Sequence, residues 1–360
     1  MKQAELNQLL DELRNTAAMQ AKINIGKGLQ LKTPKLEQLS DFYALPGDDT
    51  AAIATEQGYL LHACEGMVPS FVEHHPYFAG WSAVMANISD IAAMGGYATS
   101  VVNSFWHRTA EQAQALMQGM QDACERYGVP LVGGHTHIDA SFQPALSVAI
   151  QGQATQLLSV MHVRPQQKIL LALNMKGQFH PETTYWKCFE HVDGTVLQAQ
   201  LKVLPKLAEM GLAHAARDIS NAGVLGSLLM LLEASGCGAR ISLDHIQKPA
   251  EVSWSHWLKL FPSYGFLLTA DIEECEEIIE LFHAQDIHCS IIGETTTDGQ
   301  LNVQSGQAQA NFWDFKQQLF TGLCFATQLK QLDKVNQSQI HPSQIQSIQY
   351  FAQELKLCQA

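Results

Sequence analysis

Two adjacent carboxylates, Asp48 and Asp49, stand between the turn residues Pro46-Gly47 and the apolar run Ala51–Ile53. On a rigid turn such a pair can share a hard cation, since Mg2+ prefers oxygen ligands and commonly bridges to phosphate; a solvated turn is the plainer role. Asn87 and Asp90 are three apart, which on a helix puts them on one face. No Lys, Arg or Glu occurs between residues 74 and 107, so the face carrying Ala83, Asn87, Asp90 and Met94 either meets a ligand or is covered by a domain or dimer contact. Arg217-Asp218-Ile219-Ser220-Asn221-Ala222-Gly223 precedes a strongly apolar segment. Ser220 or Asn221 suits a helix N-cap, and the same helix start offers N–H groups and a dipole to a phosphate whose metal Asp218 could hold. Gly133-Gly134-His135-Thr136 reads as the end of a strand in a loop that a ligand could approach closely. His135, His137 and Asp139 form an HxHxD run that could hold a transition metal. No P-loop, dinucleotide fingerprint or nucleophile elbow is present.

The elements that must position these residues follow from periodicity. In 78–94 the apolar residues Trp81, Val84, Met85, Ile88 and Ala92 repeat at helical spacing and form a core face. Thr109 with Gln112 fits a capping box opening a helix over 110–127, and Gly128 closes it. Strands are expected at 59–63, 99–105, 129–132, 145–151, 168–173, 239–243, 265–270 and 289–294. Helices are expected at 1–20, about 197–210, 222–235 and 272–284. The fold class is α+β, with mixed α/β elements in two domains. The expected organisation is a helix and arm over 1–46, a first domain over 47–160, a second over 161–328 and a Gln-rich tail over 329–360.

Composition narrows the function. Twenty-two basic against 35 acidic residues leave a net charge of −13, which argues against a nucleic-acid partner because phosphate-backbone binders need a basic footprint. Eight cysteines without a CxxC pair read as reduced, mostly buried thiols rather than a disulfide or zinc framework. The polar, amphipathic start and the lack of an apolar run of about 18 residues point to a cytoplasmic protein without membrane contact.

Taken in order, GDDTAAI (47–53), WSAVMANISDIAAMGG (81–96), VGGHT (132–136), SVAIQG (147–152), RDISNAGVLGSLLMLLEASGCGARI (217–241) and YGFLLT (264–269) resemble the AIR synthase-related superfamily. It includes aminoimidazole ribonucleotide synthetase, thiamine-monophosphate kinase, selenophosphate synthetase and the hydrogenase-maturation carbamoyl dehydratase. The resemblance spans roughly residues 45–300. It implies an amino-terminal domain whose sheet pairs across a homodimer and a carboxy-terminal α/β domain packed against it. ATP would lie in the cleft between them, its phosphates held through Mg2+ by acidic residues. Asp48 and Asp49 match the metal ligands of the family's GDD, Asn87 and Asp90 its phosphate-side helix, and Asp218 the acid of its DxS motif. Gly47, Gly133, Gly134, His135, Ser220 and Asn221 would contact phosphate or substrate, and Lys27 could reach a phosphate.

Three positions depart from the family pattern. Glu65 stands in for a strand-end acid, His135 replaces the acid of GGDT, and Asn221 replaces the acid of SDG. The resemblance implies ATP- and Mg2+-dependent phosphoryl transfer to, or activation of, a small metabolite. A nucleotide-binding protein without catalysis is the alternative, and the residues that contact an acceptor fall in segments such as 175–196.

Overall fold

The computed structural model describes residues 1–28, 47–181, 185–261 and 264–323; the tail expected over 329–360 lies outside them. Two sheets organise the chain. The first contains β1 (Ala51–Thr55), β2 (Gly58–Met67), β3 (Tyr97–His107), β4 (Leu131–Ile138) and β5 (Ala145–Ala154) in the order β1-β2-β5-β3-β4. All its pairings are antiparallel except β3 with β4. Helices α1 (Gln3–Arg14) and α2 (Ala17–Gly28) precede it. Helices α3 (Pro69–His74), α4 (Pro76–Ala93) and α5 (Ala110–Tyr127) are interleaved with its strands.

The second sheet collects β6 (Lys168–Leu173), β9 (Ala215–Asp218), β10 (Gly238–Ser242), β11 (Gly265–Ala270), β12 (His288–Thr296), β13 (Gln300–Ser305) and β14 (Ala308–Asp314). Its order is β14-β13-β10-β12-β6-β11-β9, while β7 (Gln178–Phe179) and β8 (Trp186–Lys187) form a separate two-stranded ribbon. Helices α6 (Gly194–Leu201), α7 (Val203–Met210), α8 (Gly223–Glu233) and α9 (Cys275–His283) lie in this half, with a single helical turn at Trp254–Trp257. The mixed α/β expectation is therefore met.

Each sheet has its own apolar core, and α4 belongs to both. Trp81, Val84, Met85, Ile88 and Ile91 pack into the first core, whereas Ala92 and Ala93 enter the second. Every residue from Ala79 to Ala93 is buried, so the uncharged face foreseen for Asn87 and Asp90 is covered. Pro76 starts this helix where a missing N–H costs nothing. Gly95, at φ +80, ends it with Gly96 donating back to the Ile91 carbonyl.

Four local expectations are corrected. Residues 1–20 form two helices because Thr16 interrupts them: its hydroxyl accepts the Met19 N–H at 3.3 Å and caps α2. The helix expected over 197–210 breaks at Lys202, since Pro205 has no N–H to donate to the Leu201 carbonyl. The expected Gly133–Thr136 loop is strand, because parallel pairing with β3 carries β4 through to Ile138. Finally, α8 is capped by neither Ser220 nor Asn221; its N-cap is Ala222, without a side-chain bond. The Ser220 N–H is already given to the Ser227 hydroxyl at 2.7 Å, and the Val224 N–H to the Leu258 carbonyl at 2.9 Å.

Among the described residues no helix is long and apolar enough to cross a membrane. Of the six described cysteines, five are buried and Cys64 is exposed.

Candidate active site

Three carboxylates converge where the two cores meet. One oxygen each from Asp49, on the turn before β1, Asp90, on α4, and Asp218, at the end of β9, lies within 4.8 Å of the other two. Arg217 holds this group together. Its Nη2 sits 3.0 Å from Asp49 Oδ1 and its Nη1 donates to the Gly47 carbonyl at 2.7 Å. The Asp218 N–H donates to the other Asp49 oxygen at 3.2 Å. Gly47 adopts φ +118, a conformation that favours glycine, and so turns its carbonyl to Arg217.

The electrostatics record a surplus of negative charge. Burial pushes the Asp90 carboxyl well above the usual carboxylate range, and Asp218, Glu65 and Asp49 push it further. Asp218 is raised in the same way, by burial and then by Asp49, against the opposing pull of Arg217 and Lys22. Burial also raises Asp49, with Arg217, the Asp218 amide and Lys22 pulling it back. Partial desolvation raises Glu65, opposed by Lys22 and reinforced by Asp49. Acids gathered at this density need a compensating cation or protons.

Several buried polar atoms at these positions have no partner within the protein: Asp90 Oδ2, Asn87 Oδ1, Asn103 Oδ1, Thr50 Oγ1 and Ser220 Oγ. Asn87 is fully buried and donates its Nδ2 to the Ala83 carbonyl at 2.8 Å, which leaves its oxygen as the unused acceptor. Buried acceptors are normally satisfied, and an oxygen-rich, anionic pocket of this kind fits a hard divalent cation.

The residues expected from the sequence divide into those gathered here and those placed elsewhere. Asp49, Asp90 and Asp218 come together, and the charge of Glu65 acts on Asp90 and Asp218. Asp48 stands outside the three-oxygen group: its carboxylate accepts from the Ser159 hydroxyl and from the Val160 N–H at 3.2 Å, pinning the turn to the segment between β5 and β6. Burial outweighs these bonds and raises Asp48 to about 7. Glu65 lies opposite Val148, Val148 opposite Asn103, and Asn103 opposite Gly134. These four residues therefore form one row on the helix-covered face of the first sheet. A Cβ on Gly134 would come within 2.7 Å of the Asn103 side chain, so glycine there makes room for that amide. Gly133 is an exposed strand residue.

His135 is corrected more sharply. It lies opposite Ser104, one residue out of step with Asn103. Its ring accordingly lies on the open face, 4.5 Å from His137 and 6.3 Å from Trp106, away from the row containing Glu65. Asp139, third in the HxHxD run, turns back to Ser141. Among the described residues the aspartate group is the one cluster of three metal-competent side chains. Lys27 is exposed and donates to Asn24 at 2.9 Å; Lys22, one turn earlier, supplies the field felt by Asp49, Glu65 and Asp218.

Sequence reasoning missed Lys22, Asn103 and the holding role of Arg217. Asn103 had a signal, as a polar residue between Val101 and Phe105 at an inward strand position. Lys22 had none, because nothing in its own helix reports what that helix packs against.

Comparison with known proteins follows the same division. The model of the AIR synthase related protein N-terminal domain matches residues 47–154, and that of the C-terminal domain matches residues 172–306. An uncharacterized protein of Synechocystis sp. is 40% identical over 277 residues, 77% of this chain and 86% of its own length. A selenide, water dikinase of Aeromonas hydrophila is 26% identical over 256 residues, covering 64% of this chain and 72% of its own. The structure of T. maritima PurL complexed with ATP is similar with a TM-score of 0.66 at 18% identity, over 89% of this chain and 52% of that one. The chain thus spans about half the length of that PurL, and the likeness concerns the fold.

Proposed function

Because the chain belongs to the AIR synthase related family, we propose that it is an ATP- and Mg2+-dependent enzyme that phosphorylates a small metabolite or activates it through phosphorylation. The observation that carries this reading is the buried meeting of Asp49, Asp90 and Asp218 within 4.8 Å, with the unpartnered oxygens of Asp90 and Asn87 beside it.

Asp49, Asp90 and Asp218 would hold Mg2+, with Glu65 contributing from β2. Bound there, Mg2+ would neutralise phosphate charge as it develops during phosphoryl transfer. The chain's own groups do the positioning. Arg217 aims the Asp49 carboxylate and opposes the upward push of burial on it. Asp48 ties the turn to Ser159 and Val160. Asn87 presents its unused Oδ1, and Lys22 offers the cation first sought at Lys27. The backbone around Gly47, Gly133 and Gly134, with the Ser220 hydroxyl and Asn221, would contact phosphate or substrate. The exposed edge strand β4 and the open sheet face bearing Val102, Trp106 and His135 suit pairing with a second copy, as a homodimer.

A second reading is a nucleotide-binding protein without catalysis, favoured by His135 on the face away from Glu65 and Asn221 in place of an acid. The experiment that separates them is a metabolite screen for Mg2+-dependent ADP and phosphate release, run on wild type and Asp218→Asn. Substrate-dependent release abolished in Asp218→Asn supports the enzyme. Tight ATP binding with no release for any acceptor favours the second reading, and release unchanged by Asp218→Asn removes the aspartates from the chemistry.

A further inference from the structure

Glu233, at the last turn of α8, is 2% exposed and takes no direct part in the aspartate group. Its carboxylate accepts a dense set of bonds from a segment almost ninety residues later. One oxygen receives the N–H groups of Phe320 at 2.8 Å and Gly322 at 3.0 Å. The other receives the Thr321 N–H at 2.9 Å and the Thr321 hydroxyl at 2.6 Å. Three consecutive amides folded round one anion make a rigid hook, and Gly322 adopts φ +81 to complete it.

What the hook touches gives it a second meaning. Leu323, the next residue, packs on the Gly47 backbone: a Cβ at Gly47 would lie 3.1 Å from the Leu323 Cβ and 3.2 Å from its carbonyl oxygen. Gly47 is thus held by Arg217 through its carbonyl and by Leu323 from another side. The same segment crosses α2 at Gly26, where an added Cβ would meet the Thr321 oxygen at 2.7 Å and the Gly322 Cα at 3.4 Å. Helix α2 carries Lys22, and Met19 is its one buried residue, so it has little core of its own to fix it. Met19 and Phe320 both approach Gly226 of α8.

We propose that Glu233 is a positioning residue for the aspartate site: it folds residues 320–323 into a strap that fixes both the Gly47–Asp49 turn and the Lys22 helix. Two elements separated from each other by residues 29–46 would lose a common anchor without it. The catalytic consequence rests on the nucleotide reading above; the mechanical one does not.

Two variants and two readouts test this. Glu233→Gln replaces one acceptor by an N–H donor facing the amides of the strap. Gly26→Ala leaves the carboxylate intact and introduces the better helix former, but wedges α2 away from Thr321. Hydrogen exchange of peptides covering 17–28 and 47–55 reads the anchoring. Calorimetry with a non-hydrolysable ATP analogue and Mg2+ reads the site. Both variants are expected to lose protection in those peptides while core strand β11 stays protected, and to bind the analogue about tenfold or more weakly. Unchanged protection of 17–28 and 47–55 in both variants overturns the inference, as does loss of protection with unchanged affinity. If wild type itself binds no nucleotide, the functional reading falls, and loss of protection in the variants still supports the strap. Should Glu233→Gln fail to fold, Gly26→Ala carries the test.

Discussion

The Arg217 guanidinium lies 3.0 Å from the Asp49 carboxylate, their side chains only 10% and 2% exposed. One buried cation therefore joins the turn before β1 to strand β9 and offsets part of an acid cluster. Arg217→Met leaves Asp49 without its contact partner and the Gly47 carbonyl without its donor. Removing one member of a buried pair costs about 3–5 kcal/mol, so urea unfolding should show a loss of that size. A change below about 1 kcal/mol would mean that water or Lys22 replaces the guanidinium, within the range of an exposed pair.

Asp90 and Asp218 repel each other and are both raised by burial. Asp218→Asn should therefore stabilise the metal-free protein, by about 1–2 kcal/mol, while weakening Mg2+-dependent nucleotide binding by about tenfold or more. Thermal melts without metal, paired with calorimetry, check the two signs together. A variant that is both less stable and unimpaired in binding would contradict this assignment.

The pH dependence has a definite sign. Asp48 titrates near 7 in the folded state against 3.8 as its ordinary value, and Asp49, Glu65, Asp90 and Asp218 are also raised. Between the ordinary and the folded pKa the native state binds more protons than the unfolded chain, so stability falls as pH rises through that window. The metal-free protein should melt higher near pH 5.5 than near pH 7.5. Acidification below about 4 should reverse the gain, because Asp244 and Asp314 are held below their ordinary values by hydrogen bonds. Millimolar Mg2+ should flatten the slope between 5.5 and 7.5. An opposite slope without metal would show that the cluster does not govern it.

The face assignment of β4 can be tested by two substitutions. His135→Asp introduces the acid of the family's GGDT motif, yet on the open face of the sheet, so Mg2+ affinity should stay within about twofold of wild type. Glu65→Gln acts on the sheet face that carries the buried Val148 and Asn103 and should weaken Mg2+ binding by about threefold to tenfold. Metal titrations monitored by calorimetry distinguish them. A gain in affinity from His135→Asp would place that position at the metal after all.

Much of this protein was legible in one dimension. The span and end of α5 and the full extent of β6 and β11 follow from periodicity, caps and turn residues, which are local properties of the chain. The uncharged face of α4 announced that it meets a ligand or is covered, since a solvated helix face of that length normally carries charge. Asp49, Asp90 and Asp218 could be nominated because each falls, in order, in a motif of the family the chain resembles, and Asp90 lies on a helix face with no other charge.

Tertiary structure decided the rest. Whether Asp48 or Asp49 faces the cluster depends on which side Ser159 approaches, more than a hundred residues away. Strand register sets the face of His135, because a shift of one residue exchanges the two faces of a sheet and no neighbouring side chain records it. The helix start at Ser220 was misjudged because its N–H groups are satisfied by Ser227 and Leu258 rather than by a local cap. Lys22 and Glu233 act through packing between segments far apart in sequence. Residue type supplies the chemistry that an atom can do, and long-range packing determines which atoms meet.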